Sequence, residues 1–93
     1  MILHTIQDSP TQDAALSCCL RYCSLEDTLL LTGDSVYALL HPYWQEQLLP
    51  RNLLLLETDV SARGLTHFLR QYKQISLAEF VKQTMLHSKV ISW

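Results

Sequence analysis

Three cysteines that lie close together are the residues of this sequence whose side chains could do chemistry. Cys18, Cys19 and Cys23 are the complete set in a chain of 93 residues. A cysteine reacts as its thiolate, so a reactive thiol is one that solvent reaches and that lies near positive charge. An odd number of cysteines in one short stretch does not form a disulfide framework. We therefore expect reduced thiols and a cytoplasmic protein.

A predicted helix positions these thiols. Its start is indicated by Ser9 as the N-cap, by Pro10 in the first helical position and by Gln12, which completes a capping box. We expect the helix to continue to about Cys23 or Ser24.

Projection at about 100° per residue separates the three thiols on that helix. Cys23 falls at the centre of the apolar face with Leu16 and Leu20, Cys19 falls on its flank, and Cys18 falls nearest the polar side. Helix position alone therefore predicts that Cys23 is a small buried side chain and that Cys18 is the most exposed thiol.

Four more side chains have suitable chemistry, and each also has a plain structural interpretation. His4, inside a predicted strand, is either a proton donor, an interface residue or a histidine with satisfied hydrogen bonds. Asp34 and Asp59 each follow a strand, so they are either helix caps or, if they come together, a carboxylate pair for acid–base catalysis. Arg63 lies near a predicted helix end, where the helix dipole favours a cation, and it could equally pair across a subunit interface.

An aromatic and leucine-rich block lies at the helix-breaking His41-Pro42. It consists of His41, Tyr43, Trp44 and Leu48 to Leu49, and it is either local core or an interface patch. Trp93 also needs an anchor, which a partner subunit could supply.

Strands and helices alternate along the predicted fold. The apolar runs 28–32 and 53–56 lack polar alternation, which is typical of a parallel sheet covered on both faces. Further strands are predicted at 2–6, near Ile75 and at 90–93, with helical segments between them. The alternation predicts one domain over residues 1–93, an α/β/α sandwich of three layers with a mostly parallel sheet of about five strands.

Two local patterns refine this prediction. Gly64 suits the left-handed position that ends a helix. Ser76 to Glu79 is a second capping box, which opens a helix with one apolar face. That face comprises Leu77, Phe80, Val81 and Thr84 or Met85.

Charge and composition exclude several classes of function. Seven Lys and Arg against nine Asp and Glu give a net charge of −2, so no basic patch for direct nucleic-acid binding is expected. The longest apolar run, Val36 to Leu40, is too short to span a bilayer, and the first residues do not resemble a secretory signal. Two glycines exclude the phosphate-binding loops, and no zinc-site spacing occurs, so neither cofactor nor metal is expected. A charged fraction of 17% is low, which favours a partner that covers part of the surface.

Four short motifs follow one another along the chain. They are Leu3-His4-Thr5-Ile6 with Ser9-Pro10, Leu29-Leu30-Leu31 with Gly33-Asp34-Ser35-Val36-Tyr37-Ala38, the block from Leu56 to Leu65, and Phe80-Val81 with Thr84 and Trp93. Together they resemble the TusB/DsrH family of sulfur-relay proteins over essentially the whole chain.

The resemblance implies a flavodoxin-like variant of the α/β/α fold and a cytoplasmic heterohexamer. The partners would be two related small subunits, one TusC/DsrF-like and one TusD/DsrE-like. Such a complex passes persulfide sulfur between carrier proteins. In one branch the sulfur reaches the wobble uridine of tRNA, and in the sister branch it enters dissimilatory sulfur oxidation. The principal sulfur-bearing cysteine lies on another subunit in both branches.

The resemblance also singles out one thiol of this chain. The family's first-helix cysteine, where present, precedes a leucine, a basic residue and an aromatic residue, and Cys19-Leu20-Arg21-Tyr22 fits that order. Cys19 is therefore the predicted sulfur carrier, whereas Cys18 and Cys23 have no counterpart. The segment before Ile75 is more polar than the family's fourth strand, which departs from the pattern.

Two main functions follow from the sequence. The first is an accessory subunit of a sulfur-relay complex, a scaffold or secondary sulfur carrier. The alternative is a stand-alone cysteine-based sulfurtransferase or thiol oxidoreductase that uses the Cys18/Cys19/Cys23 cluster, although the chain lacks C-x-x-C and a glycine-rich loop after a strand. A third is a homo-oligomeric binding domain.

Overall fold

Five short strands form one sheet in which each hydrogen-bonded pair is parallel. They stand in the order β4-β3-β2-β1-β5. Their bounds are β1 (Ile2–Ile6), β2 (Thr28–Leu31), β3 (Asn52–Leu56), β4 (Gln74–Ile75) and β5 (Lys89–Ser92). The computed structural model describes residues 2–9, 14–48 and 51–93.

The connections between strands are helical. The helices are α1 (Ala15–Tyr22), α2 (Pro42–Leu48), α3 (Glu57–Ala62) and α4 (Leu77–Leu86), and a 3₁₀ helix covers Gly33–Leu40. No helix within the described residues is long and apolar enough to cross a membrane. The architecture is a three-layer α/β/α sandwich, so the fold class predicted from the sequence is confirmed.

The two faces of the sheet bury very different amounts of apolar surface. The larger core joins Leu29, Leu31 and Leu55 to buried side chains from α1, the 3₁₀ helix, α2 and α3. On the other face, Leu30 and its neighbours pack against a single helical side chain, Phe80 of α4. Alternate leucines of one strand therefore point into opposite layers, which explains why β2 has no polar alternation.

The predicted apolar face of α4 is confirmed for Phe80, which packs against the sheet, and is wrong for Leu77, Val81 and Met85. The ridge turned toward the sheet consists of Phe80, Gln83 and His87, and the buried His87 ring bonds to the Thr28 hydroxyl at 2.9 Å. Leu77 and Val81, both assigned to the inner face, are more than half exposed. The bond from His87 to Thr28 and the packing of Phe80 determine which side of α4 faces the sheet. The spacing of apolar residues along the helix therefore does not identify its inner side.

Both glycines have the left-handed backbone that the turns require, but their surroundings differ. Gly33 has a φ of 52°, and a Cβ there would lie 3.0 Å from the Gln7 carbonyl oxygen. Gly64 has a φ of 67°, and a Cβ added there would meet no heavy atom within 4 Å. The predicted role of Gly64 at a helix end is confirmed, because it directly follows α3 and its C-cap Arg63.

The variant Gly33→Ala should lower the free energy of unfolding by about 3 kcal/mol, because it adds a steric contact to the left-handed backbone penalty. Gly64→Ala is the matched control and should lose about 1 kcal/mol, the backbone penalty alone. Urea unfolding of both variants measures the difference. Equal losses would contradict the role assigned to the contact with Gln7.

Candidate functional site

The three thiols occupy different environments, and the prediction from helix position is wrong for one of them. Cys18 is exposed, as expected, but Cys19 has no exposed surface and Cys23 is only half-buried. The helix ends at Tyr22, and Cys23 has extended backbone angles (φ −75°, ψ 148°). Because Cys23 lies just beyond the last helical residue, a helical projection does not apply to it.

Burial makes Cys19 a poor nucleophile in this conformation. Burial raises the pKa of the Cys19 thiol to about 12, and the neighbouring Cys23 adds to the rise. The Arg51 guanidinium opposes the rise only in part. Cys19 is therefore protonated at neutral pH, so the carrier role implied for it requires that α1 move away from the core.

Cys23 has a charged partner that the sequence analysis missed. The Nη1 of Arg51 donates a hydrogen bond to the Cys23 sulfur at 2.9 Å. The Nε of Arg51 is buried and has no hydrogen-bond partner among the described residues. Arg51 directly precedes β3, so only the pairing of β3 beside β2 brings it near α1.

A cavity of about 260 Å³ lies beside this pair. Its polar and aromatic walls come from α1, from α2 and from the residue before β3, and they are Ser17, Arg21, Tyr43, Trp44, Gln47 and Arg51. Among the described residues, two guanidinium groups and no carboxylate line it, so the electrostatic potential inside favours an anionic group.

His4 is buried in the middle of β1, and both of its ring nitrogens have partners. The indole N–H of Trp93 donates to Nδ1 at 3.0 Å, so Nε2 carries the proton and donates to Asp27 at 2.9 Å. Tyr22 packs edge-on against the His4 ring. The structural interpretation of His4 is confirmed, and Trp93 has its anchor within the chain, contrary to the idea that a partner supplies it.

Asp27 is the second residue that the sequence analysis missed. Burial alone would raise the pKa of its carboxyl, but hydrogen bonds from His4 and from the backbone N–H groups of Ile2 and Ser24 outweigh burial and lower the pKa to about 2. Its position directly before an apolar strand is the one sequence signal that it holds a loop in place.

Asp34, Asp59 and Arg63 come together at the carboxyl end of the sheet. Neither carboxylate caps its own helix, so that prediction is wrong. Asp59 instead accepts the backbone N–H of Gly33 at 2.8 Å, while Asp34 accepts from Arg63 at 2.9 Å. These bonds tie α3 to the 3₁₀ helix, which gives the group a structural role.

The aromatic block divides between core and surface. Leu48 is buried and Trp44 packs against the main core, whereas Tyr43 stands exposed with its ring edge-on to Trp44. Leu49 lies outside the described residues, as do residues 10–13 with the predicted helix start. No group of three His, Cys, Asp or Glu side chains among the described residues could hold a metal ion.

Comparison with solved structures defines the class of fold first. The crystal structure of the ychN protein from E. coli aligns with a TM-score of 0.82, over 99% of this chain and 97% of that chain, at 20% identity. A solution structure of a Thermotoga maritima protein aligns with a TM-score of 0.66 over 94% of each chain, also at 20% identity. These similarities establish the fold alone.

Sequence comparison then establishes the family. The family described as "DsrH like protein" matches residues 8–90. Protein TusB of Serratia proteamaculans (strain 568) is 38% identical, and Protein TusB of Yersinia pestis (strain Pestoides F) is 36% identical, each over 99% of this chain and 100% of the relative. The chain therefore belongs to the DsrH-like family, and the resemblance to the TusB/DsrH sulfur-relay proteins is confirmed.

In the folded chain, Cys19 should react with iodoacetamide at least a hundredfold more slowly than Cys18, roughly as burial and its raised pKa dictate. Two variants with a single cysteine each, one keeping Cys18 and one keeping Cys19, allow mass spectrometry to time the reactions at pH 8. The rates measured in denaturant, where both thiols are exposed, are the control. Similar rates for Cys18 and Cys19 in the folded state would contradict the prediction and show that α1 opens readily.

Asp27→Asn should lower the free energy of unfolding by about 2 kcal/mol at pH 7, because hydrogen bonds to a buried carboxylate are lost. The folded-state pKa lies below the unfolded value, so this stabilisation is complete above about pH 4 and is lost as the pH falls toward 2. Unfolding measured from pH 2 to 7 should show the two proteins converging at low pH. A constant difference would contradict the assignment.

Proposed function

We propose that the chain is a subunit of a cytoplasmic heteromeric sulfur-relay complex that passes persulfide sulfur between carrier proteins. Similarity to TusB proteins along the whole chain carries this proposal. Because the relatives bear the TusB name, we assign the chain to the branch that thiolates the wobble uridine of tRNA, with sulfur oxidation as the sister possibility. The subunit acts on tRNA only through the complex, since its net charge is −2.

The partners are two related small subunits, TusC/DsrF-like and TusD/DsrE-like, in a heterohexamer. Exposed apolar side chains support such an assembly. Leu77, Val81, Met85 and Leu86 of α4 are 53–80% exposed. A monomer of this size rarely leaves so much apolar surface on one helix, so a subunit interface on α4 accounts for it.

The chain itself is an accessory subunit. Two of its three cysteines are poorly placed for stand-alone catalysis, because Cys19 is buried with a raised pKa and Cys18 has no charged partner among the described contacts. The resemblance predicts Cys19 as the sulfur carrier, and that role requires α1 to open. The stand-alone sulfurtransferase or thiol oxidoreductase is the outcome to expect if no partner binds.

Co-expression of the tagged chain with the two related subunits from the same genome tests the proposal. Native mass spectrometry should find a complex that contains all three chains. A wild-type chain that remains a monomer or forms only a homo-oligomer would reject the relay subunit.

The variant Val81→Glu/Met85→Glu tests the surface separately. It should weaken co-purification of the partners at least tenfold, roughly the effect of placing charge in an interface core. Phe68→Glu is the control, because Phe68 is also exposed but is not part of α4. An intact complex with the α4 variant would reject α4 as the interface and leave the complex itself standing.

A further inference from the structure

The contact between Arg51 and Cys23 is unusual for a half-buried arginine. Within the described residues no carboxylate forms an ion pair with Arg51, since the ion pairs found there join His4 to Asp27 and Arg63 to Asp34 and Asp59. The partner of its guanidinium is the Cys23 sulfur, and its buried Nε has none in the described chain. Negative charge on the sulfur would offset the cost of burying this cation.

The other side of Cys23 faces the core. Cys23 packs against the main core that contains Cys19, and it helps to raise the pKa of the Cys19 thiol. The Arg51 N–H is the charged donor on the Cys23 sulfur, and it stabilises the negative charge that a sulfur nucleophile must carry.

The neighbouring cavity suits an anionic sulfur donor. Arg51 forms part of its wall and also bonds to Cys23, so the cavity and the thiol share one guanidinium. Arg21 adds a second positive charge, and Gln47 adds an amide. Its volume of about 260 Å³ holds the end of a side chain rather than a large cofactor.

We propose that Cys23, which accepts a hydrogen bond from Arg51, is the thiol of this chain that accepts sulfane sulfur from a persulfide. The Cys23 thiolate attacks the outer sulfur of a donor R–S–SH and forms a new S–S bond. The S–S bond of the donor breaks, the donor leaves as R–S⁻, and that thiolate takes up the proton that Cys23 gave up. The products are Cys23–S–SH and R–SH, so no external oxidant or reductant is needed.

Arg51 has two tasks in this step. It stabilises the attacking sulfur through its Nη1, and its position in the cavity wall draws the anionic donor to that sulfur. Cys19 has no exposed surface, so it is the alternative acceptor that the labelling experiment distinguishes from Cys23. The inference rests on the proposed sulfur-relay function, and it places the acceptor one helical turn away from the cysteine that the family resemblance selects.

Treatment of the full chain with glutathione persulfide tests the inference. Trypsin cleaves after Arg21, so Cys23 and the pair Cys18 and Cys19 appear on different peptides. After alkylation, one added sulfur raises the mass of the labelled peptide by about 32 Da. We expect this increase on the peptide that begins at Tyr22, within the wild-type chain and within Cys19→Ser, and none on either peptide of Cys23→Ser.

The role of Arg51 has its own variants. Arg51→Gln should slow the labelling of Cys23 about tenfold at pH 7, because the charge beside the sulfur is lost. Arg51→Lys keeps the charge, and its rate of Cys23 labelling should stay within about threefold of the wild-type rate. This variant also tests the role of the charge if Arg51→Gln does not fold. Arg70→Gln is the control, because Arg70 is exposed and bonds to its own neighbour His67.

A protein donor distinguishes the source of the sulfur. A cysteine desulfurase loaded with its own persulfide replaces glutathione persulfide in a second arm, with the chain alone and in the complex. Labelling of Cys23 in either arm supports the inference, and the faster arm identifies the donor. Labelling confined to the peptide of Cys18 and Cys19, or an unchanged rate in both Arg51 variants, overturns it. A complex that forms normally without any label on Cys23 rejects this site and leaves the proposed function intact.

Discussion

His4 has no exposed surface, and a buried imidazole needs a partner for each ring nitrogen because both lose their water. Those partners come from opposite parts of the chain. Asp27 holds the start of β2, and Trp93 follows the end of β5. β1 lies between these two strands and pairs in parallel with both, so one side chain on β1 joins its two neighbours through hydrogen bonds. The register of this half of the sheet therefore depends on a polar triad inside an otherwise leucine-rich core.

The same triad determines where α1 lies. Tyr22, the last residue of the helix, packs against both His4 and Trp93, and the loop after it bonds to Asp27 through Ser24. With its end held in this way, α1 places Leu16 and Cys19 into the main core. Cys23 then leaves the helix at the one point where Arg51 can reach it. The different environments of Cys19 and Cys23 are thus a consequence of how α1 ends.

The opposite face of the sheet follows a different principle. Its covering helix is anchored by Phe80 and by the bond between His87 and Thr28, and it turns its aliphatic residues outward. An outward apolar stripe is costly for an isolated chain and favourable for a subunit. The cluster of Asp34, Asp59 and Arg63, by contrast, is satisfied within the chain, so it holds the 3₁₀ helix against α3 and needs no partner.

The sequence by itself determined the order of the elements, the parallel sheet and the family. Unbroken runs such as Leu29 to Leu31 and local signals such as Gly64 act over a few residues, and such signals are readable without knowing the fold. It did not reveal which side of α4 faces the sheet, because the inner ridge includes the polar Gln83 and His87. It also ranked the thiols wrongly, because projection assumes a helix that in fact stops at Tyr22. Only the tertiary structure decided that Arg51 meets Cys23 and that Asp27 meets His4, since each pair is separated by more than twenty residues and joined solely by strand pairing.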